Sequence, residues 1–196
     1  MNLVKHKKLS SATENMSSDV VEFEGFQLSV RNFIIKELAF YVIGYDYHGC
    51  WSFLPPFPRK KLSVKNKKTT AWLTRHCHGL HWESGELPYS SLDLILTSLF
   101  ASYNTIYTKG LEKTNFLEKK TGRKVLHLND IHCPKVNFLE SSQVYCPVHM
   151  PNFRHCALVK TSSYAMYIKE TVCSSNVIYG EDVNHRTSQT VDQDKK

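Results

Sequence analysis

From Val30 to Tyr45 the chain is apolar and β-prone, yet it carries two charges, Lys36 and Glu37, between Ile35 and Leu38. Ile34, Ile35, Phe40, Tyr41, Val42 and Ile43 read as a central strand. The charges also rule out a membrane helix, which needs about 18 consecutive apolar residues. A carboxylate inside such a strand is costly unless something neutralises it. Glu37 therefore predicts a buried partner, either a metal ion or the neighbouring cations Lys36 or Arg31.

The surrounding pattern supplies the other elements. A second strand is expected near Cys50 to Leu54, and Trp72 to Gly85 reads as a loop or a short turn of helix. Leu92, Ile95, Leu96, Leu99 and Phe100 recur at helical spacing, with Ser90 or Ser91 as N-cap. Asn104 to Thr108 reads as a strand, Glu112 to Thr121 as a helix closed by Gly122, Val125 to Leu128 as a strand and Phe153 to Tyr167 as a helix. The 196 residues fit one domain, placed at 22–173 between tails at 1–21 and 174–196 that have little to bury. Strands interleaved with helices predict an α/β fold with a central mixed sheet flanked by helices. Pattern alone does not separate the three-layer folds of that class.

Charge adds a partner class. The chain has a formal net charge of +7. Arg59, Lys60, Lys61, Lys65, Lys67 and Lys68 fall within ten residues that contain no acid, directly after a Pro-rich turn. Such a run self-repels and predicts a solvated loop able to meet phosphates, or else a solubilising or localisation segment. The first residues hold lysines without an apolar stretch of about 7 to 15 residues, so no secretory signal is read and a reducing compartment, cytoplasm or nucleus, is expected. There, cysteines serve as buried thiols or metal ligands rather than disulfides.

Cys146-x2-His149-x6-Cys156 brings two thiols and an imidazole together within eleven residues. Zinc takes Cys sulfur and His nitrogen in tetrahedral sites, and an x2 spacing lets two ligands on one turn reach the same ion. Pro147 and Pro151 stiffen that loop. Glu37 is the candidate fourth ligand. The bland alternative makes Cys156 a core thiol, leaves His149 exposed and pairs Glu37 with Lys36 or Arg31. His76-Cys77-His78-x2-His81 is a denser cluster with poorer geometry, His132-Cys133-Pro134 reads as a strand end, and Cys50 and Cys173 read as packing residues.

These residues resemble a family. Phe153-Arg154-His155-Cys156-Ala157-Leu158-Val159-Lys160 is similar to the last motif of DEDDh exonucleases, in which a histidine and an alanine-leucine pair precede a metal-binding aspartate. Phe33-Ile34-Ile35-Lys36-Glu37 resembles their first strand, which carries Asp-x-Glu, and the segment Tyr107 to Leu117 resembles their second motif. The likeness implies a ribonuclease H-like fold over about residues 30–168, and the element order agrees. It also implies that the acidic positions now read Ile35, Lys113 and Lys160, which leaves Glu37 and His155. Two-metal hydrolysis requires clustered carboxylates around two divalent ions about 4 Å apart.

One branch of that lineage, the Maelstrom domain, has lost the exonuclease acids and carries a zinc-binding Glu-Cys-His-Cys set. Glu37, Cys146, His149 and Cys156 occur here in that order, although no HMG box precedes them. The resemblance implies one structural Zn2+, single-stranded RNA binding and small-RNA (piRNA-type) silencing of transposons in germ cells, in perinuclear granules or the nucleus. RNA would lie across 59–68 and the relic cleft, where Lys113 and Lys160 meet phosphates and Trp72 or Trp82 stacks on bases. Two other expectations stand beside it: a ribonuclease with a non-standard site using His155, Glu37 or His149, and a protein-interaction module without nucleic-acid binding.

Overall fold

A computed structural model describes residues 18–30, 32–140, 144–149, 153 and 155–173. Residues 1–17 and 174–196, Arg31, Pro151, Arg154 and the Cys173 side chain lie outside the described residues. Three strands lead: β1 (Ser18–Ser29), β2 (Asn32–Val42) and β3 (Tyr47–Ser52). A 3-10 turn at Arg59–Lys61 precedes α1 (Val64–Leu73), which runs on into a π-turn at Thr74–His78. Then come α2 (Ser91–Ser102), β4 (Thr105–Thr108), α3 (Leu111–Thr121), β5 (Leu126–His127) and α4 (Ala157–Ile168).

The five strands form one mixed sheet in the order β3-β2-β1-β4-β5. The pairs β1–β2 and β2–β3 are antiparallel, and β1–β4 and β4–β5 are parallel. On one face Val21, Phe23, Leu38 and Phe40 pack against Leu92, Leu96 and Phe100 of α2 and Leu117 of α3. On the other face Val20 and Tyr41 meet Tyr164, Ala165 and Ile168, and Ala39 meets Ala157 and Leu158, all of α4. The expected helices and strands from Cys50 onward are present within a few residues of their predicted limits, the α4 start excepted. No helix among the described residues is long and apolar enough to cross a membrane.

Three expectations change. The tail placed at 1–21 ends earlier, because Asp19, Val20 and Val21 are buried in β1, the middle strand of the sheet. Val21-Glu22-Phe23-Glu24 alternates apolar and polar, and its polar face is covered by α4, with Lys160 on Glu24. The loop expected at 59–68 is largely helical: the Ser63 hydroxyl caps α1 by accepting the Asn66 N–H at 3.2 Å, and Leu62 is buried beside Trp82. That helix has no apolar periodicity to read, since Thr70 is its one buried residue. His132-Cys133 lies in a turn after β5 rather than at a strand end, with His132 at φ 56°.

A bulge in β2 decides which side chains reach which layer. Glu24 pairs with Glu37, but the next residue, Gly25, pairs with Ile35, so Lys36 is extra. Ile35 and Leu38 therefore both enter the α2/α3 layer, while Glu37 points under α4. Gly25 has to be glycine, because a Cβ there would sit 2.0 Å from the Ile34 carbonyl oxygen.

Candidate metal centre

Lys36 does not neutralise Glu37. Its buried ammonium donates to the carbonyl oxygens of Phe53, Trp82 and Ser84, tying the end of β3 and the 82–84 loop to β2. Burial pulls its pKa down to about 8. Glu37, itself fully buried, instead projects beneath the first turn of α4, where its Oε2 accepts the Ala157 N–H at 2.9 Å. A helix N-terminus favours such an anion.

The other oxygen, Oε1, is where the sequence motif converges. Cys146 Sγ lies 3.5 Å from it, Cys156 Sγ 3.6 Å and His149 Nδ1 3.4 Å, and Cys146 Sγ lies 3.5 Å from His149 Nδ1. One ligand atom from each of the four residues falls within 4.8 Å of all the others. Zinc bonds of about 2.0–2.3 Å to oxygen, nitrogen and sulfur define a tetrahedron with edges of roughly 3.3–3.8 Å. The four separations are such edges. Two sulfurs, one imidazole nitrogen and one carboxylate oxygen, from residues that are all nearly or fully buried, fit a thiophilic divalent ion.

The outer contacts complete the fit. His149 Nε2 lies 2.8 Å from the His78 carbonyl oxygen; a ring nitrogen bearing its proton there leaves the Nδ1 lone pair facing the other ligands. Phe153 stacks on the His149 ring with centroids 5.0 Å apart. Cys50, expected to be a packing residue, donates its thiol to Glu37 Oε1 at 3.5 Å. The thiols of Cys156 and Cys50 hold the Cys146 sulfur well below the usual thiol range, whereas that contact and burial drive Cys156 upward. Burial works against a charged His149, but Cys146 and Glu37 raise it to about 10. A divalent ion would replace the protons these groups share.

Lys113 and Lys160 sit beside this group, paired with carboxylates of β1. Lys113 Nζ lies 2.6 Å from Glu22 Oε2 and 3.0 Å from Glu24 Oε1, and Lys160 Nζ lies 2.6 Å from Glu24 Oε1. Glu22 also accepts the Thr108 hydroxyl and the Lys109 N–H. The residues facing Lys113 and Lys160 are thus Glu22 and Glu24 of β1, not Ile35, which the bulge turns to the opposite layer. The spacing Glu22-x-Glu24 was the overlooked signal. In the structure these lysines are ion-paired to Glu22, which is buried, and Glu24, which is half-buried.

The remaining candidates are dispersed. His155 is exposed beside Phe153. His76 is exposed and leans on Trp72, and His78 is buried, its Nδ1 accepting the Leu80 N–H. The 76–81 cluster does not converge, since the Glu-Cys-His-Cys group is the one set of three or more such residues gathered among the described residues. Trp82 is buried and donates to the Phe57 carbonyl, so it is a core residue rather than a stacking platform. Trp72 is exposed, as are Arg59, Lys60, Lys61, Lys65 and Lys68, with Lys67 half-buried. The chain matches no known family model and no curated protein.

Proposed function

We propose that this chain is a zinc-stabilised, catalytically degenerate domain of ribonuclease H-like, Maelstrom-like type that binds single-stranded RNA and does not cleave it by two-metal hydrolysis. The convergence of Glu37, Cys146, His149 and Cys156 carries the reading. Three leading strands followed by helices, a strand, a helix, a strand and a late helix support the fold assignment.

Four protein ligands leave no open position for an activated water, so zinc here contributes folding energy. The ion would join β2, the 146–149 loop and the start of α4. Cleavage is disfavoured by the neighbouring cluster, in which two ammoniums already neutralise the carboxylates of β1. The cluster holds Glu22 and Glu24 but offers no vacant carboxylate pair for two divalent ions. The excess of basic residues, concentrated from Arg59 to Lys68, supports an RNA partner. A role in small-RNA silencing, in cytoplasmic granules or the nucleus, follows from the resemblance.

Elemental analysis of chelator-free protein tests the reading directly. About one zinc per chain is expected in the wild type, with loss in Cys146→Ser and Glu37→Ala. A wild type free of metal rejects it. Magnesium- or manganese-dependent RNA cleavage that survives repurification and disappears in Glu37→Ala or His155→Ala would favour the ribonuclease alternative.

A further inference from the structure

With Lys113 and Lys160 internally paired, a polyanion needs another surface. The segment 59–82 holds seven lysines and arginines and no acid. Its folding as a turn and a helix sorts these residues. Lys65, Lys68, Trp72 and His76 follow one another at intervals of three, four and four along α1 and its π-turn, so they form one outward stripe. All four are exposed, Trp72 at 56%, and the Trp72 and His76 rings lie 5.3 Å apart. A cleft of about 550 Å³ flanks the helix, with Arg59 and Arg75 among its lining residues.

The stripe chooses among anionic partners. Lysines at this spacing meet successive phosphates, and an exposed indole beside an imidazole offers a stacking surface for bases. A membrane helix would need a continuous apolar face, whereas Val64 and Trp72 are the only large apolar side chains that α1 exposes. An acidic peptide would leave the rings without a partner.

The same helix is tied to the metal centre. α1 continues into the π-turn that ends at His78, and it is the His78 carbonyl that lies 2.8 Å from His149 Nε2. Gly79, at φ 70°, turns the chain away directly beneath the His149 ring. His78 also packs its own ring edge-on to Phe26 of β1, with centroids 4.9 Å apart.

We infer that the α1 stripe, not the relic cleft, is the single-stranded nucleic-acid surface, and that the metal centre holds it in place through the His149–His78 contact. This rests on the RNA-binding, zinc-stabilised reading above. Because coupling is reciprocal, bound RNA also tightens metal binding by the same factor.

The test uses full-length zinc-loaded protein and a fluorescently labelled 12-nucleotide oligouridine, with affinity measured across salt. Trp72→Ala is expected to weaken binding by about tenfold, in the range found for loss of one stacked base. Lys65→Ala with Lys68→Ala should flatten the log–log salt slope by about 1.4, at about 0.7 per phosphate contact on a single strand. Zinc content should stay at one per chain in both. Chelation, or His149→Ala, should lower affinity several-fold and speed amide exchange at 72–79 more than in β1 and β2, a regional difference that keeps the clamp testable if that variant is destabilised as a whole.

If the wild type binds oligouridine and the stripe variants bind equally well, the surface assignment is overturned while the RNA reading stands. If the wild type does not bind at any salt, the RNA reading falls and takes the surface with it. Equal affinity and equal exchange with and without zinc overturn the clamp. Polyglutamate or anionic vesicles bound as tightly as oligouridine would overturn the choice of partner.

Discussion

Two carboxylate clusters lie side by side beneath α4, and they solve the same electrostatic problem differently. Glu24 and Glu37 are direct partners across β1 and β2, so two like charges, one half-buried and one fully buried, face each other in register, which is unfavourable unless each is neutralised. At Glu24 the answer is local ammonium: Lys113 and Lys160 close a four-residue network with Glu22. At Glu37 no lysine among the described residues forms an ion pair, and the carboxylate collects Cys146, Cys156, His149 and, from behind, Cys50. Thiols and an imidazole are poor counter-charges for a carboxylate but good co-ligands for zinc. The choice of neighbours, more than the buried charge, distinguishes a structural ion-pair network from a metal site.

Metal removal should break this contrast most strongly. Chelation, or Cys146→Ser, is expected to cost at least about 4 kcal/mol and to lower the unfolding midpoint by roughly 10 °C, measured by thermal melts with and without added zinc. The Glu22/Glu24 cluster should be indifferent to chelator. A wild type whose melting is unchanged by a strong chelator would make the two clusters alike after all.

Lys113→Met comes next. It strands Glu22, whose side chain is 1% exposed, and should cost about 3–5 kcal/mol in denaturant unfolding without changing zinc content. The acid limb gives its sign. Burial pushes the Glu24 carboxyl up, but Lys113 and Lys160 together hold it below its ordinary value. A folded pKa below the unfolded one contributes stability that is present above the ordinary carboxylate range and is lost as pH falls through the folded value. Removing Lys113 should shrink that acid-side loss.

Asp19 sharpens the comparison as a third buried carboxylate with neither solution. Both of its oxygens lack a hydrogen-bond partner among the described residues, and burial raises its pKa to about 8. Its folded value lies above the unfolded one, so its contribution is fully present below about pH 4 and is lost as pH rises toward about 8. Asp19→Asn should therefore stabilise the protein by about 1–3 kcal/mol at pH 8 and by far less at pH 4. Equal effects at both pH values would contradict this. The smallest change is expected at the exposed Lys120–Asp93 pair, 2.7 Å apart, where Asp93→Ala should cost less than about 1 kcal/mol and vanish at high salt.

Legibility in the sequence followed the physics of each signal. The α2 apolar spacing and the Cys-x2-His-x6-Cys motif are local, periodic or closely spaced patterns, and both stand where the sequence placed them. β1 was missed because Glu22 and Glu24 are polar by composition and buried only through partners 86 to 136 residues away. Helix α1 was missed because a cap and side-chain packing, rather than an apolar face, hold it. Cys50 and His78 carry no motif; register across β2 and a backbone carbonyl place them at the centre.

The amino-acid sequence by itself determined the α/β class of the protein, the need of Glu37 for a buried partner and the set of residues that could hold a metal ion. These follow from composition and from what a carboxylate costs in an apolar strand. Only the tertiary structure decided that Lys36 turns away from Glu37, that Lys113 and Lys160 serve Glu22 and Glu24, and that the basic run folds as a turn and the start of a helix. The first two depend on strand register and the one-residue bulge at Lys36, and the third on a cap and side-chain packing rather than an apolar face. Such features decide which layer a side chain enters, and the order of residues along the chain does not state them.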